Sequence, residues 1–123
     1  MSQKKILFVD DEPVVASLMK NRISSHGFLV ETVSDGASGI EKAKTWQPDF
    51  ILLDVLMPGM DGYETCRRLK AMKETAHIPV VLFTAAQETH LDALAQKAGA
   101  AGVVQKPFVD QVFKAISEIL GPE

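Results

Sequence analysis

A single cysteine, Cys66, leaves the 123-residue chain without an internal disulfide. It falls between Tyr63 and Leu69, where a helix buries its inner face, so packing accounts for it better than redox chemistry. His26, His77 and His90 lie at helix or loop positions with no mutual spacing that suggests a shared metal, and are assigned to the surface. No apolar run approaches the length needed to cross a bilayer, and Met1 to Lys5 leads directly into a strand instead of a signal-peptide core. Runs of one charge sign are also missing. Thirteen Lys and Arg against sixteen Asp and Glu leave a net charge of -3, which gives no basic footprint for nucleic acid or an anionic membrane. With no repeat, long linker or low-complexity tract, residues 1–123 are expected to form one cytoplasmic domain without an output domain.

What remains is 46% hydrophobic and alternates short β-rich runs with longer stretches of helical period. That alternation predicts an α/β fold, a parallel sheet with helices on both faces, built from five such units. Pro13 opens the first helix, which carries Val15, Leu18, Met19 and Ile23 on one face and stops at Gly27. Phe28 to Val33 is the second strand. A turn at Asp35-Gly36 leads to a short helix on Ala37, Ile40 and Ala43, whose end Trp46 covers, and Pro48 precedes the third strand at Phe50. Asp61 and Glu64 read as N-cap and capping-box partner for a helix from Gly62 to about Met72. Pro79 opens the fourth strand; the fourth helix runs from about Glu88 to Ala98 and ends at Gly99. Gly102 leads into the fifth strand, and Val109, Val112, Phe113, Ile116, Ile119 and Leu120 hold helical spacing to Gly121.

Chemistry concentrates where the apolar runs end. Phe50-Ile51-Leu52-Leu53 runs into Asp54, a costly place for a carboxylate unless its charge is used. Ile6 to Val9 ends in Asp10-Asp11, Val80 to Phe83 in Thr84, and Gly102 to Gln105 in Lys106. If the strands are parallel, all these residues share one sheet edge, the edge at which open α/β sheets bind ligands. Clustered carboxylates repel one another unless a cation offsets them, and oxygen donors alone suit Mg2+ or a similar hard ion. A carboxylate there can act as nucleophile toward a phosphoryl group, with Lys106 as counter-charge and the Thr84 hydroxyl as donor.

These residues resemble those of the receiver domains of two-component response regulators, along essentially the whole chain. The matching motifs are Asp10-Asp11, the segment Asp54 to Gly62, Thr84-Ala85, and Lys106-Pro107-Phe108. The resemblance implies a flavodoxin-like (βα)5 three-layer sandwich with strand order 2-1-3-4-5. It also implies that Asp54 takes a phosphoryl group from a phosphohistidine on a sensor histidine kinase or histidine phosphotransfer protein, switching contacts with a downstream protein target. Asp11, Asp54 and the Leu56 backbone carbonyl would bind Mg2+ directly, with Asp10 mostly through water. Lys106 would pair with the phosphoryl oxygens, Thr84 would turn inward to bond one of them, and the Lys106-Pro107 bond is expected to be cis.

Three positions depart from the usual pattern. The residue three before the lysine, commonly Tyr or Phe, is Val103, too small and stiff for the aromatic swing that normally reports phosphorylation. Leu56 and Ala86, two after the acceptor and two after the threonine, cannot orient an attacking water, so intrinsic loss of phosphate should be slow to moderate. Two other readings use similar residues. An aspartate-nucleophile phosphatase of the haloacid-dehalogenase kind would end its first strand in Asp-x-Asp and carry a substrate cap, and a flavodoxin-like flavin binder would not set Asp10, Asp11 and Glu12 against its phosphate. A non-phosphorylated pseudo-receiver, used only for contacts, would have no need of the full set of site residues. In the receiver reading the domain is not an enzyme beyond self-catalysed phosphotransfer and dephosphorylation.

Overall fold

Why Phe50 to Leu53 forms a strand is clear from its surroundings: all four side chains are fully buried, which only a central strand covered on both faces permits. The computed structural model describes residues 3–85 and 90–121. Five strands, β1 (Lys5–Val9), β2 (Leu29–Val33), β3 (Phe50–Leu53), β4 (Val80–Thr84) and β5 (Gly102–Gln105), pair in parallel in the order β2-β1-β3-β4-β5. Five helices connect and follow them: α1 (Pro13–Ser24), α2 (Gly36–Trp46), α3 (Gly62–Ala71), α4 (Leu91–Lys97) and α5 (Val109–Leu120). The flavodoxin-like three-layer architecture is therefore as the sequence implies.

Strand alternation divides the core. Leu7, Val9, Ile51, Leu53, Val80 and Leu82 face α2, α3 and α4, while Ile6, Phe8, Phe50, Leu52, Val81 and Phe83 face α1 and α5. Each fully buried side chain of this size contributes about 1.5–3 kcal/mol relative to exposure. Cys66 lies in the first cluster, fully buried, as its spacing predicts. Trp46 ends α2 with the ammonium groups of Lys5 and Lys42 at 5.2 and 5.8 Å from its ring.

Two helix faces differ from the apolar spacing. Met19 and Ile23 are buried, but Leu18 is 59% exposed, one step off the i, i+4 stripe that meets the sheet. In α2 the buried face is Gly36, Gly39, Ile40 and Ala43, and Ala37 is exposed. The helix approaches its neighbours too closely for side chains there: a Cβ on Gly36 would lie 2.2 Å from Thr65 Oγ1. At α3 the Asp61 side chain accepts from the Glu64 amide at 2.9 Å, but Glu64 does not complete the capping box. Its carboxylate instead accepts from Arg67 and Arg68 at 2.9 and 2.8 Å. The expected start of the fourth helix at Glu88 lies outside the described residues.

Candidate functional site

Four of the five strand ends deliver a group to the carboxyl edge of the sheet. Asp10 follows β1 and donates its amide to Val33 O at 3.0 Å; Asp54 follows β3 and donates to Val9 O at 2.9 Å. Both residues are 2% exposed. Thr84, fully buried, ends β4, and its carbonyl accepts the Lys106 amide at 2.9 Å. Those backbone bonds fix the two acids, the hydroxyl and the lysine on one short arc. The peptide bond from Lys106 to Pro107 is cis, as expected.

The side chains converge on the lysine. Lys106 Nζ lies 2.7 Å from Asp10 Oδ2, 3.3 Å from Glu12 Oε1 and 3.4 Å from Asp54 Oδ2, and 5.8 Å from the centre of the Phe83 ring. Asp10 Oδ1 accepts the Glu12 amide at 2.8 Å, and Asp54 Oδ1 accepts the Leu56 amide at 3.3 Å. Burial pushes the Asp54 carboxyl above the usual aspartate value; the Lys106 charge pulls it back, and Asp10 reinforces the rise. For Lys106, burial alone would favour loss of the proton, but the bond to Asp10 and the charges of Asp54, Asp10 and Glu12 outweigh it and hold the ammonium above its ordinary value.

The structure brings together Asp10, Asp54, Thr84 and Lys106 from the residues singled out in the sequence. It also brings in Glu12, which the strand-end pattern passed over because it lies just beyond the Asp10-Asp11 pair. One carboxylate oxygen each from Asp10, Glu12 and Asp54 lies within 4.8 Å of the others, an all-oxygen donor set suited to a hard divalent cation. Asp11 is half-buried and stands outside that trio, beside Pro13, Ser17, Lys20 and Thr32 at a shallow cleft. Leu56 turns its side chain to solvent, 57% exposed, while its amide holds Asp54. Ala86 lies outside the described residues. His26, His77 and His90 are exposed, and His26 stacks on Phe113 with ring centres 3.9 Å apart.

Gly62, at the start of α3, ends the Asp54 to Gly62 motif, but the motif does not show what its missing side chain permits. A Cβ there would lie 2.2 Å from the carbonyl oxygen of Asp54, and the Gly62 amide donates to Val55 O at 2.9 Å. Only a glycine lets the helix approach the backbone at the end of β3 this closely.

Comparison with known proteins agrees with this geometry. The chain is 39% identical over 126 residues to the alkaline phosphatase synthesis transcriptional regulatory protein PhoP of Bacillus subtilis, which covers 97% of this chain and 52% of that protein. The chain thus spans about half the length of that relative. The chemotaxis protein CheY4 of Vibrio cholerae superposes with a TM-score of 0.89 at 26% identity, covering 96% of this chain and 99% of that one. The receiver domain of a sensor histidine kinase from Pseudomonas aeruginosa, solved with a magnesium ion coordinated in its active-site cleft, superposes with a TM-score of 0.88 at 26% identity over 98% of this chain and 100% of that one. The family model described as the response regulator receiver domain matches residues 6–117. With that match added to the strand order and the edge cluster, the chain belongs to the response regulator receiver domain family.

Proposed function

We propose that Asp54 is the phosphoryl acceptor of this signalling domain and that Asp54 phosphorylation switches its contacts with a downstream protein. The observation that carries this reading is the buried Asp54 carboxylate with the Lys106 ammonium 3.4 Å away, a nucleophile beside a fixed positive charge. An Asp54 carboxylate oxygen attacks phosphorus as the bond to the donor's imidazole nitrogen breaks, and that nitrogen keeps the electron pair. Lys106 offsets charge on the phosphoryl oxygens, and the Thr84 hydroxyl donates to one of them. The donor is a phosphohistidine on a sensor histidine kinase or histidine phosphotransfer protein. Mg2+ would be held by Asp10 and Asp54 of the observed oxygen cluster, with Asp11, which stands outside that cluster, and the Leu56 carbonyl as the further ligands the family resemblance implies, and when bound it would offset charge on the phosphoryl oxygens.

The domain turns over no external substrate; its chemistry is its own phosphorylation and a slow to moderate dephosphorylation. Some relatives are described as DNA-binding regulators. With a net charge of -3 this chain is assigned protein contacts only. Among the described residues no helix is long and apolar enough to cross a membrane, and we place the domain in the cytoplasm. The test is incubation with Mg2+ and acetyl phosphate followed by intact mass. A phosphate-sized gain on the parent and none on Asp54→Asn is expected; no gain on the parent, or an equal gain on both, defeats the assignment.

A further inference from the structure

Glu12 occupies the N-cap position of α1, with extended backbone at φ -92° and ψ 108°, yet its side chain makes no capping hydrogen bond. Ser, Thr, Asp or Asn would serve the helix better at that position. The carboxylate instead reaches across to Lys106, from the first strand's loop to the fifth's. A lysine ammonium has three protons to donate, and here three carboxylates surround it. Their geometries are unequal. Asp10 is bound at 2.7 Å with a side chain sealed from solvent, and Asp54 is the residue to be modified. Glu12 is bound at 3.3 Å with its side chain 59% exposed, so it has both the weaker bond and the room to leave.

Resting on the phosphoacceptor reading above, we propose that Glu12 is a positioning residue for Lys106, holding the ammonium before phosphorylation and competing with the phosphoryl group for it. A phosphoryl group on Asp54 presents further oxygens to the lysine. The Glu12 contact is the one that yields, since releasing Asp10 would leave a buried carboxylate without its cation. Glu12 therefore restrains phosphorylation instead of assisting it.

Glu12→Gln keeps the shape and removes the charge at a solvent-facing position. In Mg2+ it should bind beryllofluoride, a phosphoryl mimic, about 1.5- to 5-fold more tightly than the parent, the scale of a partly exposed ion pair. The Lys106 side-chain NMR signal, assigned by its loss in Lys106→Met, should shift in Glu12→Gln before any beryllofluoride is added. Asp110→Asn, an exposed acid in the first turn of α5, controls for general loss of negative charge and should match the parent. An unshifted Lys106 signal, unchanged or weaker mimic binding, or an equal gain in the Asp110 variant would overturn the proposal. If the parent binds no beryllofluoride, the phosphoacceptor reading falls, while the Lys106 signal still reports on the Glu12 contact.

Discussion

Replacing Gly62 by alanine should disturb Asp54 although residue 62 carries no chemistry. The added methyl would sit 2.2 Å from Asp54 O, 2.7 Å from Val55 Cα and 2.9 Å from Asp54 C. All three atoms are backbone, so no rotamer change relieves the contact; α3 must lift or the acceptor strand must bend. Overpacking of this kind costs about 1–3 kcal/mol. Lifting the helix also stretches the 2.9 Å bond from the Gly62 amide to Val55 O, a further loss of about 0.5–1.5 kcal/mol. Alanine's better helix propensity returns at most about 1 kcal/mol, and less in a first turn. The net destabilisation is about 0.5–4.5 kcal/mol, which for a chain of this length lowers Tm by about 2–18 °C. Thermal unfolding followed by circular dichroism measures it, with Gly102→Ala as control, because a Cβ at Gly102 meets nothing within 4 Å. Phosphorylation of Gly62→Ala by acetyl phosphate should slow, since the Asp54 backbone has moved. A variant that melts with the parent and takes phosphate at the parental rate would refute the close-approach reasoning.

Asp54→Asn should be more stable than the parent at neutral pH. Because the folded Asp54 carboxyl lies above its unfolded value, chiefly through burial, the stability tied to its protonated form is complete below the ordinary aspartate range and lost as pH rises through the folded value. The gap in Tm should therefore close as pH falls below about 4, and an asparagine variant less stable at neutral pH would contradict it. Burial pushes the Cys66 thiol up to about 11, so a disulfide reagent at pH 8 should label it only after denaturant is added, and prompt labelling of the native protein would count against its packing role. Beryllofluoride with Mg2+ should move amide signals strongly at Leu82 to Ala85 and around Lys106, but weakly across α4, β5 and α5. There Val103 stands beside an open cleft of about 560 Å³ lined by Leu91, Gln105 and Phe108, and a large uniform shift across that face would show that no aromatic is needed.

The strands and the site's main residues were legible because both follow from apolar runs and what ends them, whereas the strand order came from the resemblance to receiver domains. A run such as Phe50 to Leu53 announces a central strand, and parallel strands force their terminal residues to one edge. Less legible were contacts made by the absence of a side chain. Apolar spacing counted Ala37 into the α2 core but could not count Gly36 and Gly39, whose lack of a Cβ is what lets that face approach Thr65 and Val9. Gly62 escaped for the same reason. Glu12 was hidden differently: it stands next to the Asp10-Asp11 pair in sequence, whereas its partner Lys106 is ninety-four residues away.

The two perturbed groups of the site also share a direction. Asp54 holds a proton more readily than an ordinary aspartate, and Lys106 keeps its own more firmly than an ordinary lysine. The causes differ: burial is the chief reason for the Asp54 rise, with the Asp10 charge adding to it, whereas for Lys106 burial acts the other way and is outweighed by its acidic neighbours. Negative charge is in excess by geometry alone: three carboxylates surround a single ammonium. A proton would relieve that excess by neutralising Asp54, and a neutral carboxyl is no nucleophile. A hard divalent cation relieves it while leaving the carboxylate ionised, because oxygen ligation competes with protonation instead of requiring it. The charge imbalance of the edge cluster thus supports the divalent ion proposed for Asp54 chemistry.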